Sequence, residues 1–275
     1  MMEAEAIPID NAAAIWNDIQ RIRADAPLVH NITNYVVMNT TANALLALGA
    51  SPVMAHAEEE VAEMAGLARA LVINIGTLSR TWVHAMIEAE RAAHARHIPI
   101  VLDPVGAGAT RFRTETAERL LNEVPPTIIR GNASEIRALC TADHITRGVD
   151  SVHAPEDARD AARALAVRYG CVVSVSGATD LVVGSESVIG IGNGHPMMPR
   201  VTGLGCTATA LTGAFAAVNA SPLRAAAHAM AVMGIAGELA AVDCPGPGTF
   251  QARFLDALYL LRESDIRDRL RMEQA

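Results

Sequence analysis

Residues 70–76 read ALVINIG, an apolar run of strand length broken only by Asn74. A strand with one wet face alternates polar and apolar residues. This one does not, so it is expected in a sheet covered by helices on both faces, where strands run parallel. On its C-terminal side a helix is predicted over about Thr81–Arg96, then a similar strand, PIVLDPVGAG (99–108), ending in Asp103-Pro104 and a glycine turn. On its N-terminal side Glu58–Ala68 reads as a helix with acids in its first turn, preceded by a short strand, SPVMA (51–55). Further back, Val37, Thr41, Leu45 and Leu48 trace a helix face that stops at Gly49. Before it come the strand PLVHNITN (27–34) and a helix marked by Ile15, Ile19 and Ile22.

The alternation continues downstream. Thr114–Leu121 is predicted helical, TIIRGN (127–132) a strand and Ala133–Leu139 a helix. Pro155 falls in the first turn of a helix running to Tyr169, and CVVSVSG (171–177) is the next strand. Asp180–Gly194 differs: two short apolar runs around Ser-Glu suggest an antiparallel hairpin. Ser221-Pro222 opens a long Ala- and Met-rich helix to about Ala241, and Thr249 is expected to cap a final helix carrying Phe254, Leu258 and Leu261. Strand and helix alternating in this way give an α/β fold, a three-layer αβα sandwich with a mostly parallel central sheet. With no linker, repeat or low-complexity tract, residues 1–275 are expected to form one domain.

Composition narrows the chemistry. Aromatic residues are only 3% of the chain, so the core must be built from Ala, Val, Leu, Ile and Met. A net charge of −8 argues against a nucleic-acid or anionic-membrane surface. The 22 basic residues are all arginine. Lacking lysine, the chain has no P-loop lysine, no Schiff-base lysine and no lysine general base. Any bound phosphate must be held by backbone N–H groups, arginine or a metal ion. Cys140, Cys171, Cys206 and Cys244 lie far apart with no C-x-x-C, a pattern of neither zinc nor disulfides. The opening MMEAEAIPID lacks the features of a secretory signal, and no run has the character of a membrane span, so a cytoplasmic protein is expected.

The second informative stretch is PRVTGLGCTATALTGAF, Pro199–Phe215. Gly203 and Gly205 precede Cys206, after which Ala208, Leu211, Phe215 and Val218 recur at helical spacing. The stretch reads as a glycine loop opening onto a helix start, where unpaired N–H groups and the macrodipole favour an anion. The same field is expected to lower the Cys206 thiol pKa. Gly203, Gly205 and Ala208 also match a dinucleotide fingerprint, but two prolines replace the required strand and the acid about 20 residues on is missing.

In such sheets ligands bind beyond the carboxyl ends of the strands. Those ends present His30-Asn31 with Asn34, then Asn74, Asp103, Arg130-Gly131-Asn132, and Ser174-Ser176-Gly177. Arg130, closing an apolar strand, calls for an anionic partner. Asn132-Ala-Ser-Glu135 has the spacing of a capping box, and an acid beside an arginine at a strand end can also hold Mg²⁺ with its waters.

The blocks VHNITNYVVMNTTANALLALGASPVMAHAEEEVAEM, LDPVGAGATRFRT, IRGNASEI, GVDS and VTGLGC resemble those of the hydroxyethylthiazole kinases, in the ribokinase-like superfamily, in order and over nearly the whole chain. The resemblance implies ATP-dependent phosphorylation of the primary alcohol of 4-methyl-5-(2-hydroxyethyl)thiazole in thiamine salvage, with Mg²⁺, in a homotrimer whose sites lie between subunits. It implies that Met54 contacts the thiazole with Asn34 nearby, and that Gly203 lines the substrate site. It places ATP on Arg130 and Ser176, and the Mg²⁺-phosphate region on Asp103 and Glu135. Cys206 falls where ribokinase-like sugar kinases carry an aspartate acting as base, so it should lie beside the substrate hydroxyl. Leu204 stands where a small residue is usual and Ser176 where threonine is usual. A related kinase, such as one for hydroxymethylpyrimidine, is the alternative within the fold. A cysteine-nucleophile hydrolase using Cys206 with His195 as base, and a non-catalytic nucleotide-binding protein, are the alternatives outside it.

Overall fold

The computed structural model describes residues 10–147 and 157–274; GVDS (148–151) and Pro155 lie outside the described residues. The elements run α1 (Asn11–Asp25), β1 (Leu28–Ile32), α2 (Met38–Leu48), β2 (Ser51–Val53), α3 (Val61–Leu67), β3 (Ala70–Asn74), α4 (Arg80–Ala95) and β4 (Ile100–Asp103). They continue α5 (Arg111–Glu123), β5 (Ile128–Asn132), α6 (Ala133–Arg147), α7 (Ala158–Tyr169), β6 (Val172–Ser176), β7 (Asp180–Val183) and β8 (Val188–Ile191). A 3-10 turn at Met198–Arg200 leads into α8 (Leu204–Ala216), α9 (Pro222–Ala241), α10 (Pro247–Leu260), α11 (Glu263–Arg269) and β9 (Met272–Gln274).

The sheet has nine strands in the order β2-β1-β3-β4-β5-β6-β7-β8-β9. Pairing is parallel from β2 through β6 and antiparallel from β6 through β9. ALVINIG is the parallel strand β3, buried along its whole length. Its residues split by the two-residue period: Ala70 and Val72 join the core under α1, α2, α8 and α9, while Leu71 and Ile73 join the core under α4, α5, α6 and α7. The sheet is therefore sandwiched between two helical layers, as the unbroken apolar strands require.

Local signals account for most boundaries. Ser79, Thr110 and Ser221 cap α4, α5 and α9 by accepting the N–H of Trp82, Arg113 and Arg224. Gly49 closes α2 with φ 112°. Three expectations are corrected. Glu58–Glu60 form a turn and α3 begins only at Val61, because no side chain there caps an earlier start. Thr249 lies inside α10, whose cap is Gly246, since Pro247 supplies the first helical position. That helix is not the last element: α11 and β9 follow, and β9 pairs with β8.

Candidate active site

Strands β1, β3, β4, β5 and β6 end at one edge, and polar residues at or just beyond the ends of β1, β3 and β4 form a connected network. Asn34 Nδ2 donates to Asn74 Oδ1 at 2.9 Å, and Asn74 Nδ2 donates to Asp103 Oδ2 at 2.7 Å. Thr209, on α8, donates its hydroxyl to the same Asp103 oxygen at 2.7 Å. All four residues are buried. Burial lifts the Asp103 carboxyl from 3.8 to about 6; Glu135 adds to the rise, while Arg130, Thr209 and Asn74 oppose it.

Helix α8 starts against this network. Gly203 is its N-cap at φ 84°, and a Cβ there would lie 2.6 Å from Val37 Cγ1, so both backbone and space call for glycine. Thr207 N–H is the first to reach back, bonding Gly203 O at 2.8 Å. The amides of Leu204, Gly205 and Cys206 thus have no intrahelical acceptor, which is the anion-binding arrangement expected from the sequence. Cys206, third residue of the helix, accepts a hydrogen bond from Asn34 Nδ2 at 3.5 Å. The expected lowering of its thiol is not found. Burial, and then the charge of Asp103, push the thiol above its ordinary value, against smaller opposing effects of Asn74, Asn34 and Arg130. His195 does not pair with it: His195 Nδ1 bonds Met197 N–H at 3.2 Å and the ring stacks on Phe250. The nucleophile-base pair of a cysteine hydrolase is not formed.

Beside the helix start opens a cavity of about 790 Å³, whose lining includes Arg130, Ser176, Asp180, Gly203, Gly205, Met230 and Met233. Arg130 is buried, and its Nε has no hydrogen-bond partner among the described residues. Its Nη1 lies 3.1 Å from where a Cβ on Gly205 would sit, which places the guanidinium against the first turn of α8. A buried guanidinium and a set of helix-start amides on one cavity make a phosphate-binding surface without lysine. Burial raises Asp180 to about 6, with Gly177 N–H and Arg130 acting against it.

Glu135 forms the capping box. Asn132 Oδ1 accepts Glu135 N–H at 3.0 Å, and Glu135 Oε2 accepts Asn132 N–H at 2.8 Å. Its other oxygen accepts Gly106 N–H at 2.9 Å. One lone pair remains on each oxygen, so the cap and a role toward a metal ion are compatible. Among the described residues no group of three or more His, Cys, Asp or Glu could hold a metal ion. The donor set is thus too small for a cation held by protein alone, and fits one that keeps its waters and is shared with a phosphate.

Of the expected site residues, Arg130, Ser176 and Gly203 share the cavity, and Asn34, Asp103 and Cys206 share the adjoining network. Met54 does not line the cavity: it follows β2, the outermost strand, and is half-exposed. Sequence reasoning had named Asn74 among the polar strand ends without giving it a role, and had not assigned Thr209 or Asp180 to the site. Asn74 had a signal, as the polar interruption of ALVINIG. Thr209 lies three residues beyond Cys206 and so on the same helix face.

Against known proteins, the model of the hydroxyethylthiazole kinase family matches residues 19–264. The hydroxyethylthiazole kinase of Syntrophus aciditrophicus (strain SB) is 64% identical over 258 residues, covering 94% of this chain and 96% of its own. That of Oleidesulfovibrio alaskensis is 58% identical over 252 residues, covering 92% and 95%. Among solved structures, the hydroxyethylthiazole kinase protein from Pyrococcus horikoshii OT3 matches with a TM-score of 0.88 at 44% identity, over 96% of this chain and 99% of that one. The pyridoxal kinase from Staphylococcus aureus in complex with pyridoxal matches at 0.64 and 18% identity over 90% and 97%, a likeness of fold alone. The fold is ribokinase-like. Blocks read from the sequence, the lysine-free phosphate surface and these matches agree, and the chain belongs to the hydroxyethylthiazole kinase family.

Proposed function

We propose that this chain transfers the γ-phosphoryl group of ATP to the primary hydroxyl of 4-methyl-5-(2-hydroxyethyl)thiazole, the kinase step of thiamine salvage, as a one-domain cytoplasmic enzyme. The observation that carries the reading is the single cavity on which Arg130 and Ser176 meet Gly203, beside Cys206 and the Asp103 network. Phosphoryl transfer asks a protein mostly for positioning and charge stabilisation. Arg130 and the amides of Leu204–Cys206 supply positive character toward the phosphates, and the Ser176 hydroxyl a neutral contact. Mg²⁺, when bound, would neutralise charge on the transferring phosphates, with Asp103 and Glu135 holding it through its waters.

The acceptor hydroxyl is placed at Cys206, with Gly203 and Asn34 lining the thiazole site. Because burial keeps the thiol protonated, Cys206 orients the alcohol rather than acting as a strong base. Cys206→Ala is expected to lower kcat about ten-fold with the KM for ATP unchanged; full turnover in that variant would remove the role. Met54 is proposed to reach the thiazole of a neighbouring subunit in a homotrimer. Its place just after the edge strand β2, outside its own chain's cavity, supports this, as do the exposed Tyr35 and Val36.

The test is ADP formation by the purified protein with ATP, Mg²⁺ and the thiazole alcohol, against a panel including hydroxymethylpyrimidine. Turnover confined to the thiazole, with a phosphorylated product by mass spectrometry, supports the proposal. Preference for another alcohol overturns the substrate, and no ATP consumption overturns the kinase reading.

A further inference from the structure

One stretch of the cavity wall is not self-supporting. Gly192, Asn193 and Gly194 line it, and all three are held by residues that do not line it themselves. Glu238, on α9, is the hub. Its Oε1 accepts Gly194 N–H at 2.9 Å, Asn193 Nδ2 at 3.0 Å and Arg271 Nη2 at 2.6 Å. Arg271 in turn grips the same loop: its Nε and Nη2 donate to Gly192 O at 3.0 and 2.8 Å. Its backbone N–H donates to Asn193 Oδ1 at 2.9 Å, and its carbonyl accepts Gly192 N–H at 2.8 Å. Asn193 Nδ2 also donates to Arg269 O at 2.8 Å. The loop is pressed onto α9 at Gly234, where a Cβ would fall 2.6 Å from the Asn193 backbone.

Every polar group of the Gly192–Gly194 turn named here is therefore committed to Glu238 or to the segment Arg269–Arg271. That segment lies beyond residue 264, where the family match ends, and it leads into β9. A charged, nearly buried carboxylate that gathers three donors on one oxygen fixes geometry more than it adds stability. A cavity wall shifted by an ångström loses binding without any contact residue having changed.

We infer that Arg271 and Glu238 are positioning residues for the nucleotide: they set the Gly192–Gly194 stretch of the cavity that Arg130 and Ser176 also line, and they act on ATP affinity rather than on the thiazole or the chemical step. The inference rests on the reading of this cavity as the ATP site. Three measurements on the full chain test it, each beside wild type: Mg-ATP binding by calorimetry without thiazole, KM for each substrate, and kcat at saturation. Arg271→Ala is expected to raise the Kd and KM for ATP about ten-fold, leaving the thiazole KM and kcat within about two-fold. Arg271→Lys keeps the charge beside Glu238 but loses the two-pronged hold on Gly192 O. It should fall between the two, and it serves as the test if the alanine variant fails to fold. Unchanged ATP affinity in both variants, or equal changes for both substrates, overturns the inference. Wild type that binds no ATP overturns the reading of the cavity instead, and the two failures are told apart by that one column of data.

Discussion

Asp180 shows how a single side chain ties stability to pH. Its folded pKa, about 6, lies above the ordinary 3.8 because the carboxyl is buried. A group shifted in this direction binds its proton more tightly when folded, so the folded state loses stability as pH rises between those two values. Above about 6 the full cost of a buried charge is present, and below about 4 it is gone. Asp180→Asn keeps an oxygen for Gly177 N–H and carries no charge. Its stability relative to wild type should rise between pH 4 and 7 by up to about 3 kcal/mol, read from urea melts across that range. Gly203 is the other residue with a sharp expectation. Alanine there combines a positive φ with a 2.6 Å approach to Val37, so Gly203→Ala should cost about 2 kcal/mol and raise the thiazole KM, checked by thermal melts and initial rates. At this scale the sequence was readable where a residue broke a pattern. Asn74 interrupts an apolar run and Arg130 ends one, so both stood out. Thr209 did not, because in an Ala- and Thr-rich helix only the position of Asp103 distinguishes it from Thr207 or Thr212. The direction of the Cys206 shift was missed for a related reason: the helix start is local, whereas the burial and the Asp103 charge that outweigh it arrive through tertiary packing.

Among the elements, α4 holds the clearest departure from what its pattern required. Glu90 is fully buried in the helical layer, and neither carboxylate oxygen has a hydrogen-bond partner among the described residues. Burial, then the charge of Glu123, raises its pKa well above the usual range. The protonated acid is the form the helix tolerates, so stability should fall as pH rises through the raised value. Glu90→Met replaces it with an apolar side chain of similar length and is expected to stabilise the chain by about 1–2 kcal/mol near neutral pH, read as a shift of the urea midpoint. The long elements were legible because caps and apolar periodicity agree in them; Ser221-Pro222 ahead of α9 is an instance. The short ones were not. MEQ has neither alternation nor branched residues, and Met272–Gln274 becomes a strand only because β8 offers it an edge. Pairing of that kind is invisible until the partner is in place.

For the molecule as a whole, among the described residues the outer edge of β2 pairs with no other strand. An exposed strand edge beside Tyr35 and Val36, which are 64% and 68% exposed, invites a second chain. The proposed trimer predicts a three-chain mass by light scattering. Val36→Asp should release smaller species and with them most thiazole turnover, while ATP binding by the isolated chain persists. The α/β architecture was open to reading because the buried parallel strands announce themselves as solid apolar blocks. The antiparallel end was read only as far as its hairpin. There the sheet finds its last neighbour from the far end of the chain: about 80 positions separate Ile191 of β8 from Met272 of β9. Synthesis runs from the N-terminus at roughly 5–20 residues per second, so the wall around Gly192–Gly194 waits some ~4–16 s for the residues that fasten it. A growing chain has its Arg130 side of the cavity in hand well before its Arg271 side, and nucleotide added during translation meets a half-finished pocket. A chain stalled short of Arg271 lacks the grip on Gly192 and Asn193, and on the inference above it should hold ATP more weakly, in the direction expected of Arg271→Ala.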